Sequence, residues 1–281
     1  MRLGAIKKTR CNVEAKLTTR NLCKSFRKGD LSIEALRDVN IDVYPGEFVS
    51  IVGASGCGKT TFLRLVDGLI APSNGKVSID GELVDKPGKK ISFVFQQDGL
   101  FPWRTVINNT ALGPEIAGHP TSHARSIGHE FLRLVGLSGF DHHYPHELSG
   151  GMRQRVNIAR ALSAGADVML MDEPFAALDA QTREIMQSEL LRVWQETKKT
   201  VLLVTHQIDE AVYLSDRVLI FTVRPGRLKQ ELRIELPRPR GLSIKRTPEF
   251  VHYTDIIWRA IEQEVREGIG REARSVASLH S

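Results

Sequence analysis

The run Phe48-Val49-Ser50-Ile51-Val52, followed by Gly53-Ala54-Ser55-Gly56-Cys57-Gly58-Lys59-Thr60, constrains this chain more than any other stretch. An apolar run, glycines at fixed offsets and then Lys-Thr is the pattern of strand, phosphate-cradling loop and helix. The glycines let the backbone approach a phosphate and point successive amides at it. The helix that starts near Lys59 turns its positive dipole end toward the same anion. Lys59 suits the β- and γ-phosphates of a nucleotide. The Thr60 hydroxyl suits magnesium, which binds through few protein oxygens plus phosphates and water, and Thr61 beside it belongs with the nucleotide-binding residues of the loop. The fold expected around this loop is α/β, with a parallel sheet.

A second apolar run, Val168-Met169-Leu170-Met171, ends in Asp172-Glu173-Pro174. Four apolar residues without alternation suit a parallel strand buried on both faces. Ligands of such sheets bind beyond the carboxyl ends of the strands, which brings Asp172 and Glu173 beside the phosphates. Asp172 reads as the magnesium-side carboxylate and Glu173 as the base that orients and deprotonates an attacking water. Taken alone, an acidic pair before proline also suits a plain strand end; the loop upstream decides for chemistry.

The third feature is Leu148-Ser149-Gly150-Gly151-Met152-Arg153-Gln154-Arg155. Ser149, Gly150 and Gly151 precede a helix-like stretch from Met152 to Leu162, so hydroxyl, amides and helix dipole can face an anion together. A serine that merely caps its helix satisfies the same pattern.

With LSGGMRQRVNIARAL in place, the chain resembles the ATP-binding cassette (ABC) ATPases over nearly its whole length. The resemblance implies a P-loop NTPase core over 17–96 and 166–236 with a parallel sheet and an antiparallel β subdomain. It also implies an inserted helical subdomain over 97–165 that carries LSGG, and leaves 237–281 as a basic, helical C-terminal extension. ATP and Mg2+ are the implied ligands. In that family the serine and glycine amides of LSGG bind the γ-phosphate of an ATP held by the other subunit, which implies a head-to-tail homodimer with two shared sites. Four more positions match family motifs. Gln96, next to Gln97, resembles the glutamine that touches Mg2+ and the attacking water. Asp179 resembles the aspartate that crosses the dimer interface, though it also fits a helix N-cap. His206 resembles the histidine on the γ-phosphate, and Phe26 stands where an aromatic stacks on adenine. Phe26 suits a core position on a strand as well.

Within the family, four stretches resemble ATPase subunits of nitrate/sulfonate/taurine-type importers: Leu100-Phe101-Pro102-Trp103-Arg104, the run from Pro174 to Arg183, Thr205 to Ala211, and Arg224-Pro225-Gly226-Arg227. That resemblance implies a membrane permease contacted near Gln96 to Arg104 and, indirectly, a periplasmic or extracellular solute-binding protein. Phe101, Pro102 and Trp103 suit a partner groove, since exposed aromatics mark partner sites, and equally suit local core packing. The rivals are a soluble single-cassette ATPase acting on nucleic acid or the ribosome, and a P-loop kinase. The first would need a long coiled-coil insertion or a second cassette. The second has no use for LSGGMRQR.

Composition narrows the setting. The net charge of +6 concentrates in two places. From Arg224 to Arg246, eight Lys/Arg (Arg224, Arg227, Lys229, Arg233, Arg238, Arg240, Lys245, Arg246) oppose Glu231 and Glu235, and the first thirty residues carry nine against Glu14 and Asp30. Without interleaved aromatics for base stacking, these clusters read as solvated or membrane-proximal rather than nucleic-acid binding. No run approaches the roughly 18 apolar residues of a membrane span, and Met1 to Lys16 lacks a signal-peptide core. The expected place is the cytoplasmic face of the membrane, peripherally bound. Cys11, Cys23 and Cys57 make no CxxC pair and suit a reducing compartment. Cys57, inside the phosphate loop at a helix N-terminus, is expected to have a lowered pKa and thiolate character.

Overall fold

The computed structural model describes residues 14–29, 31–97 and 99–277. Cys11 and the N-terminal part of the first basic cluster lie outside these residues. Two sheets organise the chain. An antiparallel sheet is built from β1 (Leu17–Lys28), β2 (Leu31–Val43), β4 (Asn74–Ile79) and β5 (Glu82–Leu83), in the order β2-β1-β4-β5. The second sheet contains β3 (Phe48–Val52), β6 (Ile91–Val94), β7 (Val168–Asp172), β8 (Thr200–Val204), β9 (Arg217–Phe221) and β10 (Leu228–Arg233). Its order is β10-β9-β3-β8-β7-β6, parallel throughout except for the β9–β10 edge.

The central strands explain themselves by the two-residue alternation of side chains. Phe48 and Val52 of β3 join one apolar cluster, while Val49 and Ile51 join the other. Met169 and Met171 point to the first cluster and Val168 and Leu170 to the second; Leu203 and Leu202 of β8 divide the same way. Every residue of β3, β7, β8 and β9 is buried. At about 1.5–3 kcal/mol per fully buried large apolar side chain, a sheet packed on both faces holds its strand ends firmly in place.

The helix α1 (Lys59–Val66) follows β3 directly, as expected. Between β6 and β7 lie α2 (Val106–Thr110), α3 (Leu112–Ile116), α4 (Thr121–Leu134) and α5 (Gly150–Ser163). On α4 the apolar spacing is realised, with Ala124 and Leu132 buried, Val135 buried just past its end, and Ile127 and Phe131 half-buried. Then come α6 (Ala180–Thr197), α7 (Ile208–Leu214) and, after a 3-10 turn at Leu242–Arg246, α8 (Pro248–Ala277). Phe250 and Ile257 of α8 are buried and Ile261 packs on the core, whereas Val265 stays exposed.

Part of the basic stretch from 224 to 246 departs from the solvated or membrane-proximal surface expected of it, while Arg224, Arg227, Arg233 and Arg246 stay exposed. Arg240 is buried, and its guanidinium donates to the carbonyls of Val212, Tyr213, Ser215, Ile234 and Leu236. Arg238 pairs with Asp216 and lies 4.3 Å from the Trp194 ring. Lys229 pairs with Glu264, and Lys245 with Glu184. The sequence counts charges but not the carbonyls left open at the ends of α7 and β10. These cations fasten the C-terminal segment to the core.

Candidate functional site

The phosphate loop takes its shape from two glycines in the left-handed region, Gly56 at φ +73° and Gly58 at φ +102°. Gly58 also has no room for a side chain, since a Cβ would meet the Ala35 carbonyl oxygen and the Leu36 side chain at 2.8 Å. The loop therefore turns tightly into α1, and Lys59 Nζ folds back to donate to the carbonyls of Gly53 (2.8 Å) and Ala54 (3.0 Å). Such a lysine holds its charge at the loop centre.

The loop opens onto a cavity of about 700 Å³. Its lining includes Ser55, Gly56, Gly58, Lys59, Thr60 and Thr61 from the loop and α1, Phe26 from β1, Glu173 beyond β7 and His206 beyond β8. Phe26 is 44 % exposed with Lys24 Nζ 5.2 Å from its ring centre, so it is a cavity wall and not a core aromatic. Thr60 Oγ1 donates to Asp172 Oδ1 at 3.1 Å. Burial pushes the Asp172 carboxyl above its ordinary value; the Thr60 bond opposes this, and the neighbouring Glu173 charge adds to it. A buried carboxylate and a hydroxyl beside a phosphate cradle form an all-oxygen donor set that fits Mg2+. Glu173 sits at φ +47°, a left-handed conformation that costs a non-glycine residue roughly 1–2 kcal/mol. Its Oε2 lies 3.2 Å from His206 Nδ1 and accepts from Gln96 Nε2 at 3.5 Å. Of the two adjacent glutamines, Gln96 is thus the one that reaches the carboxylate.

Cys57 corrects an expectation. It is 1 % exposed, packs in the core with Phe62 and Phe221, and burial raises its pKa, with the Lys59 charge opposing only in part. The loop curls so that position 57 points inward. Helix-terminus proximity cannot offset the desolvation.

Ser149, Gly150, Gly151 and Asp179 are not among the residues that line this cavity. Ser149 caps α5, its oxygen accepting from the Met152 amide at 3.3 Å. Asp179 caps α6 by accepting from the Thr182 and Gln181 amides, and these bonds, Thr182 foremost, lower its pKa. Both remain exposed. Trp103 is 72 % exposed with its ring 5.3 Å from Phe101, which is half-buried, while Pro102 is exposed and Leu100 buried.

Sequence reasoning missed several residues. Arg224 lines the cavity, with Ile33 and Ala35 of β2 on the same wall. Arg183, Gln207 and Glu210 brace the turn that carries His206 through contacts with its sequence neighbours. Thr205 Oγ1 accepts from the Gln207 amide at 3.0 Å and donates to the buried Glu210 carboxylate at 2.8 Å, and Arg183 donates to Gln207 Oε1 at 3.3 Å. Arg224, Arg183, Gln207 and Glu210 lie inside stretches singled out for resemblance, whereas Ile33 and Ala35 do not, and nothing in their spacing announces the contacts.

A phosphate cradle, a hydroxyl–carboxylate pair and a second carboxylate at the ends of parallel strands define a class, the nucleotide-hydrolysing α/β P-loop proteins. The ABC transporter family pattern matches residues 36–176. The chain belongs to that family. It is 48 % identical over 262 residues to an uncharacterized ABC transporter ATP-binding protein of Methanocaldococcus jannaschii, covering 93 % of this chain and 97 % of that one. It is 44 % identical to a nitrate import ATP-binding protein of Synechocystis sp. (85 % and 93 % covered) and 44 % identical to a taurine import ATP-binding protein of Rhizobium johnstonii (82 % and 89 %). A solved dimeric structure of an ATP-binding cassette in a post-hydrolysis state, bound to ADP and Pi, superimposes with a TM-score of 0.69 at 35 % identity, over 80 % of this chain and 99 % of that one. The protein is an ABC ATPase that uses ATP with Mg2+. The kinase and nucleic-acid readings are not favoured. Among the described residues no helix is long and apolar enough to cross a membrane.

Proposed function

We propose that this chain is the ATP-hydrolysing subunit that energises a membrane permease for import of a small anion of the nitrate, sulfonate or taurine kind. It would sit peripherally on the cytoplasmic face of the membrane, with a solute-binding protein supplying cargo from the other side. The names of the relatives support the import role, and the exposed Trp103 beside Phe101 supports a permease contact near Gln96 to Arg104. In this division the ATP-binding core is 17–96 and 166–236, the helical subdomain 97–165, and the extension 237–281. It is supported by the placement of α2 to α5 between β6 and β7.

The observation that carries the ATPase reading is the convergence of Gln96 and His206 on Glu173 at the mouth of the phosphate cavity. Glu173 takes the proton of the attacking water, Gln96 orients that water, and His206 holds the γ-phosphate side. Lys59 and the loop amides from Gly53 to Thr61 bind the phosphates, and Phe26 stacks on adenine. Mg2+ would be held by Thr60 and Asp172, with Gln96 near it, and supplies neutralisation of the developing charge when bound. Ser149, Gly150, Gly151 and Asp179, outside the cavity of their own chain, serve the partner's nucleotide in a homodimer.

A mixed dimer tests the shared site. Lys59→Ala removes phosphate binding, and Ser149→Arg blocks γ-phosphate capture by bulk. Pairing the two puts both lesions in one site and leaves the other intact, so ATP trapping should recover above either variant alone. No recovery in proven mixed dimers rules the shared site out. Reconstitution with permease and binding protein, followed by solute-stimulated ATP turnover, identifies the cargo.

A further inference from the structure

We propose that Arg183 is a positioning residue that joins the Glu173–Asp179 segment to the His206 turn and thereby sets the rate of hydrolysis. The proposal rests on the ATPase reading above. Arg183 lies in the first turn of α6. Its guanidinium spreads three donors over three acceptors: Nε to the Phe175 carbonyl (3.3 Å), Nη2 to the Leu178 carbonyl (2.6 Å) and Nη1 to Gln207 Oε1 (3.3 Å). Phe175 stands two residues past the base, Leu178 immediately before Asp179, and Gln207 immediately after His206.

The segment it grips is otherwise a short run of turns. The Glu173 amide donates to the Val204 carbonyl at 2.9 Å, Ala176 to Glu173 at 3.1 Å and Leu178 to Phe175 at 3.1 Å. Glu173 itself is held left-handed, a conformation that persists only where its surroundings determine it. On the other side, Gln207 is fixed from below by Thr205 and the buried Glu210. Arg183 therefore completes a frame around the 3.2 Å contact between Glu173 and His206. A planar fork with separate N–H groups reaches three acceptors at once, which an ammonium on a flexible stem cannot reproduce. None of Arg183, Phe175, Leu178 and Gln207 lines the nucleotide cavity. Loss of the frame should consequently change turnover and leave nucleotide binding in place. Through Leu178 the same fork would pass a displacement of Asp179, the residue expected at the subunit interface, to the base.

The test compares full-length wild type with Arg183→Lys, Arg183→Ala, Gln207→Ala and the double variant, and uses Glu173→Gln as the reference for a dead base. Measured quantities are kcat, KM and the equilibrium Kd of ATP. Arg183→Lys should lower kcat by about tenfold or more while Kd stays within about threefold, the pattern of a transition-state contribution. Gln207→Ala should lower kcat less. The double variant should be no worse than Arg183→Ala alone, because contacts in one network are not additive. Guanidinium ion, but not ammonium, should restore part of kcat to Arg183→Ala. Wild-type kcat in Arg183→Lys, or a Kd that rises in step with the loss of turnover, overturns the proposal. If Arg183→Ala does not fold, Arg183→Lys and Gln207→Ala decide the matter. Undiminished turnover in Glu173→Gln would instead overturn the site reading, and the frame with it.

Discussion

Gly226 packs so closely behind the phosphate loop that a Cβ there would lie 2.1 Å from the Cys57 carbonyl oxygen. The same glycine donates to the Ala35 carbonyl at 2.9 Å and accepts from the Arg37 amide at 3.0 Å, which ties β2 to the stretch Arg224-Pro225-Gly226-Arg227. One residue type thus lets loop, strand and connecting turn close on each other.

Gly226→Ala must displace backbone, and overpacking of this kind typically costs about 1–3 kcal/mol. The expected outcome is a lower unfolding midpoint together with weaker ATP binding, since the displaced atoms belong to the phosphate loop. Gly88→Ala, with nothing within 4 Å of its Cβ, is the control and should change neither. Intact ATP affinity in Gly226→Ala would show that the turn does not shape the loop.

Burial pushes the Glu210 carboxyl up from 4.5 to about 7, with the Thr205 bond opposing. The folded value lies above that of an unfolded glutamate, roughly 4.3. This group's stabilisation is therefore complete below the unfolded value and lost as pH rises through about 7. At 1.36 kcal/mol per unit the shift amounts to on the order of 3 kcal/mol. Thermal midpoints should fall between pH 5 and 8, and Glu210→Gln should flatten that fall by comparison. Parallel curves for the two proteins would show that Glu210 does not titrate in this range.

Cys57, buried with its pKa raised, should react slowly with maleimide in native protein whether or not MgATP is present. Labelling is measured after Cys11 and Cys23 are replaced by serine, and it should accelerate only when denaturant opens the core. Fast native labelling that MgATP suppresses would restore the thiolate expected from the sequence.

Arg240→Ala strips five carbonyls of their donor. Each unsatisfied buried polar group costs about 1–3 kcal/mol, reduced wherever water enters the gap, so a loss of about 3–5 kcal/mol is expected from urea unfolding. Burial lowers this guanidinium to about 10, so it is still a cation at neutral pH. A loss below about 1 kcal/mol, the size of a surface substitution, would mean that the C-terminal segment does not depend on it.

What could be read from the sequence was what local chemistry announces. The phosphate loop, the buried strands before Glu173 and His206 and the apolar face of α4 all carry their pattern within a few consecutive residues. Three arginines were misjudged or passed over for one reason. Arg183, Arg224 and Arg240 find backbone carbonyls as partners, and a carbonyl has no letter in a sequence. Arg224 donates to Gly56, 168 positions away along the chain. Cys57 failed differently: a helix start predicts its field, but only the curl of the loop decides that it faces the core.

The cap at Ser149 and its expected service to a nucleotide look like competing uses of one hydroxyl, yet they draw on opposite ends of it. Toward the Met152 amide the oxygen is an acceptor. A hydroxyl in that role keeps its own proton to give away. Helix and anion can therefore be satisfied together, the first orienting the second's donor. Threonine preserves both capacities at this position. Aspartate keeps the cap alone and turns a donor into a repelling charge, so Ser149→Asp should hold α5 intact while losing the nucleotide, which separates folding from function in a single residue.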